Sequence, residues 1–145
     1  MKKALLQAEK ALEEDEVPIG AVIVKDGQII SRAHNAKEKT GLATRHAEII
    51  AIEKACKKTG DWRLNGCEMY VTLEPCPMCA GAIINARIDK LFFGAYDEKA
   101  GCCGTLYNLL QDGRFNHRVQ VVGGVMREEC ARILNDFFKS KRGKI

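Results

Sequence analysis

The chain carries no segment suited to crossing or leaving through a membrane. No run approaches the ~18 consecutive apolar residues that a spanning helix needs. The start, Met1-Lys2-Lys3-Ala4-Leu5-Leu6, is basic, but Gln7, Glu9, Lys10, Glu13 and Glu14 follow at once, so the uninterrupted apolar core of a secretory signal is missing. These absences make a cytoplasmic protein the expectation. Proline is scarce: Pro18, Pro75 and Pro77 are the whole set, each at an expected element boundary, where a missing N–H does least harm. Linkers, low-complexity tracts and internal repeats are also lacking, so the 145 residues are expected to form one domain, residues 1–145. The charge excess is small, a formal +4 with an isoelectric point near 8.7. It permits nucleic-acid binding without demonstrating it.

Cysteine breaks this pattern of scarcity, with seven residues. In a chain with no export signal, a Cys-x-x-Cys pair points to metal or redox chemistry more than to a disulfide framework.

Hydrophobic spacing supplies the scaffold. Ala4, Leu5, Ala8, Ala11 and Leu12 predict an amphipathic helix over residues 2 to about 15. The branched run Ala21-Val22-Ile23-Val24, the turn Lys25-Asp26-Gly27 and then Gln28-Ile29-Ile30 predict a hairpin. Residues 33–44 are mixed and polar and read as loop. Further expectations are a helix from Thr44 to about Lys58, a strand over Glu68–Leu73 and a helix over Cys76–Ala86 with Pro77 in its first turn. Strands over Lys90–Gly94 and Arg118–Val122 follow, and Cys130, Ile133, Leu134, Phe137 and Phe138 mark a final helix. Helices interleaved with strands predict an α/β sandwich around a sheet of about five strands.

Two short segments carry chemistry, His46-Ala47-Glu48 and Pro75-Cys76-Pro77-Met78-Cys79, each opening a predicted helix. Helical i, i+3 spacing lets Cys76 and Cys79 reach one ion, and the positive end of the helix favours the thiolate that a metal needs. His46 adds a nitrogen. Three protein ligands leave the fourth tetrahedral position of a zinc ion open for water, as a catalytic site requires. Glu48 points elsewhere on the helix and is free to carry protons. A redox cysteine pair and a closed structural site, with Cys102 or Cys103 as fourth ligand, are the rival readings. The second leaves Glu48 without a role.

The stretch Tyr70-Val71-Thr72-Leu73-Glu74-Pro75-Cys76-Pro77-Met78-Cys79-Ala80-Gly81-Ala82 resembles the bacterial tRNA-specific adenosine deaminases. The resemblance runs through nearly the whole chain, including Glu16–Val22, Gly94–Gly101, Phe115-Asn116-His117-Arg118 and Asp136-Phe137-Phe138. It implies the cytidine-deaminase-like α/β fold, a three-layer α/β/α sandwich with a mixed sheet of about five strands. It also implies hydrolysis of adenosine to inosine at the wobble position of a tRNA anticodon, by a zinc-bound hydroxide attacking C6 of a base taken out of its stack. It makes His46, Cys76 and Cys79 ligands of one zinc per subunit, Glu48 the proton shuttle, and Asn35, Asp97, Ala47 and Phe138 substrate contacts. A homodimer acting on the anticodon loop is implied with it. The pattern departs at Leu42-Ala43-Thr44-Arg45, where family members commonly read Asp-Pro-Thr-Ala.

Phe137, Phe138, Lys139, Lys141, Arg142 and Lys144 put aromatics beside cations, a combination that can stack a base and hold phosphates. Alternatively, both Phe137 and Phe138 are core and the tail a solvated basic end. Cys56, Cys67 and Cys130 read as small buried hydrophobes. His34 is a candidate pocket residue or a surface one, and Trp62 and Arg63 are expected to pack at a helix-to-strand connection. Two other functions share the motifs: deamination of a small ring such as guanine, cytidine or a pterin, and a non-catalytic zinc module that binds nucleic acid.

Overall fold

A computed structural model describes residues 1–143. Five strands form one mixed sheet in the order β2-β1-β3-β4-β5: β1 Gly20–Lys25, β2 Gln28–His34, β3 Cys67–Leu73, β4 Lys90–Ala95 and β5 Gln120–Val122. β1 is antiparallel to β2 and β3, while β3, β4 and β5 run parallel. The hairpin turns where its sequence predicts, with Asp26 and Gly27 both at positive φ, 51° and 76°. That is the backbone a two-residue hairpin loop requires, and Asp-Gly adopts it at low cost.

Helices cover both faces. Ala21, Ile23, Met69, Val71, Leu91 and Phe93 point to one side, where they pack with Ala47, Ala51 and Ala55 of α3 (Ala47–Thr59) and Ala80 and Ile83 of α4 (Pro77–Asn85). The other side carries α1 (Lys2–Glu13) and α5 (Arg127–Arg142). Two glycines set how closely these helices approach. A Cβ on Gly20 would lie 2.6 Å from Ala8 N in α1, and one on Gly94 would lie 2.7 Å from Cys130 Cβ in α5. The result is the expected α/β/α sandwich. Among the described residues, no helix is long and apolar enough to cross a membrane.

Residues 33–44 depart from the expected loop. β2 continues to His34, paired with Gly20, because Ser31 and Ala33 keep alternating into the sheet. A short helix, α2, then spans Lys37–Thr40. Its cap comes from far away in sequence: the buried Glu16 carboxylate accepts the backbone N–H groups of Glu38 at 3.0 Å and Lys39 at 2.6 Å. Local periodicity carries no trace of such a partner. At the connection from α3 to β3, Trp62 stands 53% exposed with the Arg63 guanidinium packed over its ring. Cys67 and Cys130 are fully buried as expected, whereas Cys56 is half-buried.

Candidate active site

Reversal of chain direction at β1 brings the carboxyl ends of β2, β3 and β4 to one edge of the sheet, where open α/β sheets place their ligand crevices. Asn35 follows β2, Glu74-Pro75-Cys76 follows β3 and Tyr96-Asp97 follows β4. On the neighbouring face, α3 and α4 begin at this edge. His46 is the residue just before α3 and Cys76 the residue just before α4, both with extended backbone. Pro77 occupies the first helical position, where its fixed φ suits the helix and its missing N–H is no loss. One turn later comes Cys79.

These placements converge. His46 Nδ1 lies 3.7 Å from Cys76 Sγ and 3.4 Å from Cys79 Sγ, and the three ligand atoms all fall within 4.8 Å of one another. Tetrahedral zinc with bonds of about 2.3 Å to sulfur and about 2.0 Å to nitrogen would set N and S ligands ~3.5 Å apart. The donor set and its spacing fit such an ion. Cys102 and Cys103 are buried but stand outside this cluster, which among the described residues offers three ligands and no fourth.

The electrostatics suit a metal and a proton carrier. A hydrogen bond from Cys79, with help from His46, pulls the Cys76 thiol down to about 4, while the same bond and burial push Cys79 far up. The two sulfurs thus share one proton, which a bound cation would release. The hydrogen bond that His46 donates to the Cys76 sulfur raises His46. Glu48, in the first turn of α3 and 4% exposed, is pushed up to about 7 chiefly by burial. A carboxyl group poised there can take and return a proton at neutral pH.

A cleft of about 190 Å³ opens on this cluster, walled by Asn35, Lys37, Glu48, Glu74, Asp97 and Ala100 around His46 and Cys76. Asn35 is buried, and its Oδ1 accepts the Ala47 backbone N–H at 2.8 Å, which satisfies one of the free donors at the start of α3. Ala47 therefore meets the site through its backbone, and its side chain belongs to the core. Asp97 Oδ1 accepts the N–H groups of Lys99 and Ala100, folding the 97–100 turn back on itself. Phe138 does not line this cleft. It stands 44% exposed between two adjoining grooves of about 790 and 740 Å³. Leu73 and Asp97 connect the first groove to the cleft, and Val17 borders all three. Phe137 is buried, its ring meeting that of Phe138 edge-on.

Several other side chains have clear partners. Arg45 Nη1 is paired with Glu53 at 2.7 Å, and Lys141 with Asp15 at 2.7 Å. Lys144 lies outside the described residues. His34 is held between Gln7 and Glu14 and does not line the cleft, while His117 Nε2 donates to the Ile88 carbonyl. Sequence reasoning passed over Lys37, Glu16 and Glu74. The signal for the two glutamates was an acidic residue set against an apolar segment, Val17-Pro18-Ile19 for one and Val71-Thr72-Leu73 for the other.

Comparison with known proteins supports the same grouping. A sequence model of the MafB19-like deaminase family matches residues 1–142. The tRNA-specific adenosine deaminase of Bacillus subtilis (strain 168) is 56% identical over 99% of this chain and 89% of its own, and that of Aquifex aeolicus (strain VF5) is 46% identical over 100% and 95%. A solved structure from studies of A-to-I editing by tRNA:A34 deaminases at the wobble position of transfer RNA superposes with a TM-score of 0.89. It is 45% identical over 92% of this chain and 97% of its own. The guanine deaminase of Bacillus subtilis is more distant, with a TM-score of 0.65 at 32% identity over 98% and 90%. With its sequence matched nearly end to end, its fold superposing on that of a tRNA:A34 deaminase and its His-Cys-Cys cluster assembled, this chain belongs to the tRNA-specific adenosine deaminases of the MafB19-like deaminase family.

Proposed function

We propose that this protein hydrolyses the 6-amino group of adenosine to give inosine at the wobble position of a tRNA anticodon. One observation carries the reading: a buried glutamate sits two residues from a histidine that converges with two cysteines on a volume suited to one tetrahedral ion. In this reading His46, Cys76 and Cys79 hold zinc, one per chain. Zinc supplies Lewis acidity, lowering the pKa of a coordinated water from 15.7 to about 7. Glu48 carries one proton of the attacking water to the ring nitrogen, where inosine keeps it, and then moves the second from the new C6 hydroxyl to the amine, which departs as ammonia; such transfer contributes about 10² to 10⁴ in rate. The Asn35 amide, with its oxygen already committed to Ala47, has its NH₂ left to donate to the nucleotide. Asp97 borders both the cleft and the larger groove, where a neighbouring nucleotide would lie.

A narrow cleft opening into wide grooves suits a base flipped out of a polymer better than a free ring of the same size. Recognition of RNA loops works in this way, with the base splayed out and stacked. Phe138, with Lys139 and Arg142 beside the groove, supplies a ring and cations for the flanking strand. A homodimer is part of the same proposal, and exposed Leu106, Tyr107 and Phe115 offer it apolar contact surface. The test is incubation with an anticodon stem-loop carrying a wobble adenosine and, in parallel, with free adenosine, cytidine and guanine, scored by mass spectrometry. Inosine in the hairpin is expected. Deamination of free bases or nucleosides alone would refute the RNA assignment, and sedimentation at the monomer mass would refute the dimer.

A further inference from the structure

Glu74 is a buried carboxylate with no cationic partner among its hydrogen bonds. It follows β3 directly and is 2% exposed. Its two oxygens instead gather one loop. Oε1 accepts the Asp97 N–H at 3.1 Å and the Thr105 hydroxyl. Oε2 accepts the N–H groups of Cys103 and Thr105, both at 3.0 Å. Four donors on an ionised acceptor make strong, charge-assisted bonds. The loop is shaped around this group: a Cβ on Gly101 would collide with the Glu74 carboxyl carbon and lie 2.5 Å from Oε1. Backbone bonds tie the same segments, with Glu74 N–H donating to Ala95 O and Cys102 N–H to Pro75 O. Cys76, a member of the ligand cluster, comes two residues after Glu74. One side chain therefore joins the metal-cluster segment to the loop that carries Asp97 and Ala100 on the opposite wall of the cleft.

We propose that Glu74 is a positioning residue for substrate: it sets the 97–105 loop so that Asp97 faces the nucleotide beside the flipped base. The inference rests on the RNA-deaminase reading above. Glu74 makes no direct contact with the reacting atoms in this account and acts through Asp97. Glu74→Gln keeps the shape, but its NH₂ would oppose backbone donors where an oxygen accepted them. Thr105→Val removes only the hydroxyl bond.

The experiment is a double-mutant cycle on binding of an anticodon hairpin, with Glu48→Gln in every protein to stop turnover and zinc content measured alongside. With Asp97 present, Glu74→Gln should weaken hairpin binding at least tenfold and Thr105→Val about threefold, zinc staying near one per chain. With Asp97→Ala, each should cost less than twofold. A merely structural role would instead give equal losses in both backgrounds, or loss of zinc, and either result would overturn the proposal. If Glu74→Gln does not fold, the Thr105→Val cycle decides alone by the same criterion. Hairpin binding by the parent with no effect of either variant would overturn the positioning role and leave the RNA reading standing. No hairpin binding by the parent would remove both.

Discussion

Asn35 holds two jobs that its substitutions can separate. Its Oδ1 accepts the N–H of Ala47, a fully buried residue at the start of α3. Asn35→Ala would strand that donor. An orphaned buried N–H costs about 1–3 kcal/mol, and losing a helix-start acceptor typically costs about 0.5–2 kcal/mol, a range that overlaps because it is the same bond. For a chain of this length each kcal/mol moves Tm by roughly 3 °C, so a fall of about 3–9 °C is expected in a thermal melt. Asn35→Asp keeps an acceptor at the same place, and a carboxylate is favoured at a helix N-terminus. It should hold stability within about 1 kcal/mol of the parent. Both variants lack the NH₂ proposed to donate to the nucleotide, so both should lose hairpin deamination by at least about tenfold, the loss of one good hydrogen bond. The assay is a pair of measurements on zinc-loaded protein, melting by circular dichroism and inosine formation in the hairpin well below the melting range. Equal instability of the two variants would refute the capping account, and normal turnover by Asn35→Asp would refute the donor role.

Further outcomes follow from the same geometry. Glu48→Gln should keep zinc near one per chain while turnover falls by about 10² to 10⁴, measured by metal analysis and single-turnover kinetics. In metal-free protein, burial raises Glu48 to about 7 from the ordinary glutamate value of about 4.5. Ionising it therefore opposes folding: its contribution is intact below about pH 4.5 and is lost as pH rises through 7, on the order of 3 kcal/mol. Denaturant titrations of the chelated chain should show that loss, and Glu48→Gln should abolish it. Phe138→Ala, at an exposed site, should weaken hairpin binding by about 1–3 kcal/mol with little change in Tm, whereas Phe137→Ala should cost roughly 3–5 kcal/mol of stability. Calorimetry and fluorescence binding distinguish the two. Gly94→Ala forces a methyl group against Cys130 Cβ and the Thr72 carbonyl, at 2.7 and 2.8 Å. Overpacking of this kind costs about 1–3 kcal/mol, and Cys130→Gly in the same chain should restore part of it.

What the sequence made legible was local. Asp26-Gly27 dictates its own backbone, and Pro77 marks the first helical position; Cys76 and Cys79 declare a shared target by being one turn apart. The continuous apolar run of β1 and the alanine spacing of α1 and α3 foretold the sandwich for a related reason, since each element displays its buried residues within a short stretch. The short helix α2 and the bracing of the cleft were hidden because their causes lie far along the chain. Glu16 caps a helix 22 residues away, and Glu74 holds N–H groups 23 to 31 residues away. Asn35 was identified through the family resemblance alone; that its oxygen caps α3 is visible only in three dimensions. Trp62 and Arg63 pack against each other at the helix-to-strand connection, as their position implied, with the ring on the surface beneath the guanidinium.

X-ray absorption at the zinc edge, on protein purified without added metal, tests the core of this account most directly. Two sulfurs at about 2.3 Å and two lighter atoms at about 2.0 Å, one imidazole nitrogen and one exchangeable water oxygen, are expected for an open site. Three or four sulfurs around the ion, or a fully active protein with no metal in it, would contradict it.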